Sequence, residues 1–186
     1  MQEKRNVILI LEGTIQAMKK EDVIKLKELS NQTIHAASVS QDPDNILVAV
    51  MVYSLGKIIE RKKYQTYPGW EKFYSEITNS INNSIKALKN NDDESLKLHL
   101  KNIRRCIDKL SGKLKIYIQD VFTKAKINKA SKIYEHGISM EKTASLLGVT
   151  MFDLANYTGQ TGISDVRESK TMDVKSRIKL ATGMFG

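Results

Sequence analysis

The sequence is poor in the residues that cross-link or punctuate a chain. It has one cysteine, Cys106, which excludes an intramolecular disulfide and any multi-cysteine zinc site. That usage fits a reducing, intracellular compartment. Two prolines and ten glycines in 186 residues are few for a β-sandwich with many tight turns, and they exclude a collagen-like or low-complexity chain. Aromatic residues make up only 6%, which disfavours single-stranded nucleic acid as a stacking partner. The histidines, His35, His99 and His136, are scattered, and none stands at metal-ligand spacing with another His or with the cysteine. Long apolar runs are missing as well. The richest window, 46–55, is about half of what a bilayer crossing requires. Val7 to Leu11 is too short for a signal-peptide core and runs into Glu12. No lipidation motif is present. The expectation is a soluble cytoplasmic protein with no membrane partner, no metal and no cofactor.

What is present is a core-forming hydrophobic fraction of 41% and a formal charge of +9. The length suits one domain, or one plus a small appendage. The charge is uneven. Residues 94–136 carry a net +7, and the rest of the chain is close to neutral. A localised basic stripe is the footprint expected for a polyanion partner, because each phosphate contact releases condensed counterions. A solvated face of a long helix is the plain alternative.

Apolar residues recur at helical spacing almost throughout. The first helix is expected over 3–19 (Val7, Ile8, Leu11, Ile15, Met18) and the second over 22–37 (Val23, Leu26, Leu29, Ile34). Asp42 is a suitable N-cap and Pro43 a suitable first residue for a third. That third helix, running through Ile46–Tyr53 to Ile59, is apolar nearly all round and reads as the central helix of a bundle. Tyr67-Pro68-Gly69 breaks the chain. A fourth helix follows with Trp70, Phe73, Tyr74, Ile77, Ile81, Ile85 and Leu88 on one face. The fifth is expected over 94–135, with Ser111-Gly112 as a point of kinking and Gly137 just past its end. Five such segments with short polar links predict an all-α, antiparallel helical bundle over 1–136. The long apolar faces of the fourth and fifth helices would also let two copies pair.

The C-terminal quarter holds the most specific pattern. Met140 to Gly159 reads MEKTASLLGVTMFDLANYTG. Ser139 is placed to cap a short helix, although Lys142 stands where a capping box would need Glu or Gln. Ala144 is small where two helices would cross, and Gly148 sits in the turn, where a positive φ is required. Leu147, Val149, Leu154 and Tyr157 can fill a small core, and Thr150 can cap the second helix. This is a helix-turn-helix-like module over 137–163, followed by a tail over 164–186. Its candidate recognition helix contains Asp153 and no Lys or Arg, so base reading would fall to Asn156 and Gln160. Met151 and Phe152 on that helix suit a protein interface if exposed.

The stretch Ala130-Ser131-Lys132-Ile133-Tyr134-Glu135-His136-Gly137-Ile138-Ser139, with Thr143-Ala144-Ser145-Leu146-Leu147-Gly148-Val149 and Met151-Phe152-Asp153-Leu154, resembles a family of small prokaryotic, often archaeal, antitoxin-like proteins. Their Tyr-x-x-Gly-Ile-Ser step leads into a small helix-turn-helix. The resemblance covers about 130–163. It implies a DNA-binding autoregulator whose C-terminal tail binds a toxin, often a PIN-domain ribonuclease.

Catalytic patterns are absent: no HExxH, GxSxG, Walker or Rossmann motif occurs. Arg61, Arg104 and Arg105 lack the downstream histidine that HEPN-type helical ribonucleases use. His35 beside Asp42 or Asp44 reads as a structural histidine, and Cys106 between Ile103 and Ile107 as a packing residue. The expected function is therefore non-enzymatic. It is nucleic-acid binding of the transcription-regulator, antitoxin type, with duplex DNA favoured over RNA. The expected contacts are Lys97, Lys101, Arg104, Arg105, Lys109, Lys113, Lys124, Lys126, Lys129 and Lys132, joined by Lys142, Thr150, Asn156 and Gln160 of the module. The alternatives are a module that neutralises a protein toxin through the tail, and an RNA- or ribosome-associated helical factor.

Overall fold

A computed structural model describes residues 3–40 and 42–162. The tail over 164–186, and the partner-binding role expected of it, lie outside the described residues. Among the described residues there is no strand. Eight α-helices follow in order: α1 (Lys4–Lys19), α2 (Val23–Ser40), α3 (Pro43–Glu60), α4 (Trp70–Lys89), α5 (Asp93–Asp108), α6 (Gly112–Glu135), α7 (Met140–Leu147) and α8 (Met151–Gln160). A 3-10 turn, Lys62–Thr66, joins α3 to α4.

Helix α3 is the centre of the bundle, as its all-round apolar sequence requires. Val48, Ala49, Met51, Val52, Ile58 and their neighbours are buried on every side. Its start is built as expected, with the Asp42 carboxylate accepting from the Asp44 N–H at 2.9 Å and Pro43 in the first turn. Helix α2 packs along it, and the Ser30 hydroxyl donates to the Ala49 carbonyl at 2.8 Å. The two backbones approach closely at Gly56, where an added Cβ would lie 3.2 Å from Leu26 Cβ. Helices α1, α4 and the first half of α6 close the main core, and α5 packs on α4 and adds Leu96, Leu100, Ile103, Cys106 and Ile107 to it.

The expected fifth helix is two helices. Lys109 to Ser111 separate α5 from α6, and Gly112 begins the new helix at φ +57°. A left-handed residue cannot continue a right-handed helix, so the chain turns here instead of kinking. Lys115 Nζ donates to the Asp108 carbonyl at 3.0 Å and covers one of the open carbonyls at the end of α5.

A second, smaller core joins α7 and α8 to the bundle. Ile34, Ala37, Ile46, Ala49, Val50, Ala125, Ala130, Ile133, Ala144, Leu147 and Leu154 form it, and Phe122 touches both cores. The alanines let helices of three different parts of the chain approach closely. Residues 140–160 are therefore docked on α6 and α3. Their local signals are the expected ones. The Ser139 hydroxyl accepts from the Lys142 N–H at 3.3 Å, Gly148 closes α7 at φ +61°, and the Thr150 hydroxyl accepts from the Asp153 N–H at 3.0 Å. Nothing lies within 4 Å of a Cβ built on Gly148. Gly148→Ala is thus expected to cost only the left-handed backbone penalty, about 1 kcal/mol. Urea unfolding of the variant measures it.

Candidate nucleic-acid interface

On α5 and its C-cap residue Lys109 the cations form one face. Lys97, Lys101, Arg104, Arg105 and Lys109 are exposed and recur at helical spacing. Leu96, Leu100, Ile103, Cys106 and Ile107 are buried on the opposite side, against α4. Among the described residues, none of these five cations is in an ion pair, and neither is the exposed Lys113 at the start of α6. Arg105 donates to the Asn102 side-chain carbonyl at 3.1 Å, which holds its guanidinium without neutralising it. The carboxylates of α5 stand at its ends. Asp93 is held by Lys4 at 3.0 Å, which together with that lysine's charge lowers the pKa of its carboxyl.

The expected stripe does not continue along α6. Lys124 is paired with Asp120 at 2.8 Å and Lys132 with Glu135 at 2.8 Å. Lys126 is half-buried, two residues from Lys124 and so on the far side of the helix. Lys129 departs most from the sequence reading: it is only 1% exposed, enclosed between α2, α3 and α6. Lys129 is therefore removed from the docking surface, while Lys124 and Lys132 stay at the surface but paired with carboxylates. The physical reason is that the second half of α6 is packed by α2, α3, α7 and α8 on several sides, so no single solvent face remains for a stripe.

The module residues are exposed. Lys142 lies on α7, and Asn156 and Gln160 on α8. The Thr150 hydroxyl is engaged at the start of α8, donating to the Asp153 carboxylate at 2.6 Å while accepting its N–H. Met151 and Phe152 are 54% and 74% exposed. The basic face of α5 begins at the same end of the molecule as this module. Asp44, in the first turn of α3, feels the charges of Lys97 and Asp93, and Ile46 just after it belongs to the second core. Burial, and after it the Asp42 charge, raises the pKa of the Asp44 carboxyl.

Three groupings were not read from the sequence. Tyr117 of α6 stacks on Tyr64 and Tyr67 at ring-centroid distances of 5.4 and 5.7 Å, and Arg61 donates to the Tyr64 hydroxyl at 2.7 Å. His35 and His136 lie with ring centroids 5.3 Å apart. Lys129 sits over the Tyr53 ring, 4.3 Å from its centroid. Each joins residues distant in the chain, so no local spacing announces it. Cys106 is buried, and burial, followed by the nearby Glu76, raises its thiol pKa. That opposes the thiolate form that a nucleophile requires. Among the described residues, no cluster of His, Cys, Asp and Glu could hold a metal, and no helix is long and apolar enough to cross a membrane.

No family model, no curated protein and no solved structure matches this chain.

Proposed function

We propose that this is a non-enzymatic nucleic-acid-binding protein, of the transcription-regulator type, that docks on duplex DNA through the α5 face. The observation that carries this reading is the row Lys97, Lys101, Arg104, Arg105 and Lys109, exposed together and free of ion pairs among the described residues. A helix of this length spans about 24 Å, or about seven base-pair steps of a duplex backbone. In this reading α7, the Gly148 turn and α8 act as a helix-turn-helix-like unit at the end where the basic face begins. Asn156 and Gln160 would offer adenine-reading amides, and Lys142 a further phosphate contact. Phosphate contacts would supply most of the affinity and the module would set register. The triple variant Lys101→Glu, Arg104→Glu, Arg105→Glu is expected to keep the fold, since all three side chains are exposed, and to lose at least about a hundredfold in duplex affinity at low salt. Fluorescence anisotropy with a labelled duplex measures this, and an unchanged affinity would refute the reading.

A second reading rests on α8 itself, which carries no cation and exposes Met151 and Phe152. That surface suits a protein partner of the antitoxin kind better than a phosphate backbone. Here Phe152→Ser would abolish partner capture without changing duplex affinity.

A further inference from the structure

The chain has seven tyrosines, and the fold gathers three of them in one place. In a 3-10 turn, side chains three residues apart stand above one another. Arg61, Tyr64 and Tyr67, at the two ends and in the middle of the turn Lys62–Thr66, therefore share one edge. Tyr117 of α6 stacks on both tyrosines, with a tilt of 23° in each case. Both partners come from that one edge, so they cover Tyr117 from one side, and its 37% exposure belongs to the other. Tyr64 is buried and its hydroxyl is held by Arg61 at 2.7 Å, which fixes the ring beneath Tyr117.

The surroundings of this ring are basic and apolar at once. Lys113 is exposed and lies one turn before Tyr117, three residues before the 66% exposed Ile116, so the three side chains adjoin on one face of α6. Arg61 is exposed and near enough to feel the charge of Asp120, one turn after Tyr117, so it flanks the ring at the other end. Among the described residues, neither Lys113 nor Arg61 is in an ion pair, and Asp120 is taken by Lys124 at 2.8 Å. A half-exposed ring between two unpaired cations matches an alternation of base and phosphate. A duplex cannot use the ring, because its bases already stack on one another. An anionic bilayer calls for a broad apolar face, which Ile116 beside one tyrosine does not supply.

We propose that Tyr117, flanked by Lys113 and Arg61, is a stacking site for single-stranded nucleic acid. A base lies on the outer side of the ring with Ile116 against its edge, and the two cations take the phosphates on either side. Every base has a π-face, so the site tolerates any sequence. The low aromatic content of the chain argues against such a partner only while the tyrosines are taken as dispersed. The site goes beyond duplex docking on α5 and does not depend on it.

The test is fluorescence anisotropy of the full chain at low salt with a labelled oligo-dT of about 20 nucleotides and, in parallel, a duplex of the same length. The wild type is expected to bind the single strand. Tyr117→Ala is expected to weaken that binding about tenfold or more, the loss that removing one stacking ring causes, and to leave duplex affinity unchanged. Tyr117→Phe, which keeps the ring, is expected to bind as the wild type does. Single-strand binding that depends on Tyr117 in a protein that ignores the duplex would support this site and refute the α5 reading. No single-strand binding by the wild type would overturn the proposal. So would an affinity that Tyr117→Ala leaves unchanged, or lowers equally for both probes. Binding to phosphatidylserine vesicles that requires Tyr117, without binding to the oligonucleotide, would overturn it in favour of a membrane surface. Should Tyr117→Ala fail to fold, photo-crosslinking of the wild type to an oligonucleotide carrying 5-iodouracil decides: crosslinks at Tyr117 or Tyr67 support the site, and crosslinks confined to other residues overturn it.

Discussion

Lys129→Met is expected to make the protein more stable at pH 7, by about 2 kcal/mol, and to lose that advantage by about pH 10.5. The pKa of the Lys129 ammonium is lowered from its ordinary 10.5 to about 8, mainly by burial and then by the charges of Lys132 and Lys27. At 1.36 kcal/mol per pKa unit, keeping it charged in the fold costs about 3 kcal/mol. Methionine has a similar length and no charge, so it removes that cost. The ring contact with Tyr53 and the bond to Asn31 vanish with the ammonium, which gives back about 1 kcal/mol. The sign of the pH dependence follows from linkage. Between pH 8 and 10.5 the unfolded lysine still binds its proton while the folded one has released it, so wild-type stability rises with pH across that window. Below pH 8 both states are charged and the full cost is present. Tyr74 of α4, whose pKa burial raises, is common to both proteins and cancels in the comparison. Urea unfolding of the two proteins at several pH values measures the difference. A variant less stable than wild type at pH 7 would contradict the account.

Leu154→Ala is expected to cost about 3 kcal/mol, with the damage confined to one end of the molecule. Leu154 is fully buried and is the α8 residue of the second core, where it meets Ala144, Leu147 and the alanines of α6. Small neighbours on both sides cannot expand to fill the space, so a cavity remains. The main core contains no residue of α7 or α8, so α1 and α4 should not feel the loss. Amide hydrogen exchange should show about a hundredfold faster opening across 140–160 and little change in α1 or α4. Uniform acceleration along the chain would mean that α7 and α8 are integral to the bundle's stability and not an attached unit.

Much of this architecture was legible because the signals are local. Pro43 after Asp42, the Pro68-Gly69 break, Gly148 after Leu147 and Thr150 three residues before Asp153 each act through backbone geometry within a few residues, and each stands where the sequence placed it. The cations of α5 were legible for a related reason. That helix packs chiefly on α4, so its apolar period identifies a single buried face and leaves the opposite one to solvent. Helix α6 has neighbours on several sides, and a period of 3.6 says nothing about which polar residues a second or third neighbour covers. Lys129 was misplaced on that account. The one hint in the sequence is its setting among Ala125, Ala130 and Ser131, small residues of the kind that permit close packing on more than one side. The break between α5 and α6 was underestimated because Ser111-Gly112 was read as a point of kinking, whereas the left-handed conformation of Gly112 ends one helix and begins another.

The claim on which the functional account stands is that the exposed cations of α5 contact phosphates directly. It is tested most directly by the salt dependence of wild-type binding to a duplex of about 20 base pairs. If Lys97, Lys101, Arg104, Arg105, Lys109 and Lys113 each displace a counterion, the slope of log K against log salt is about −5, and it falls to about −3 or less when three of them are reversed. A wild-type slope near zero, or a slope that the triple variant leaves unchanged, would contradict the account.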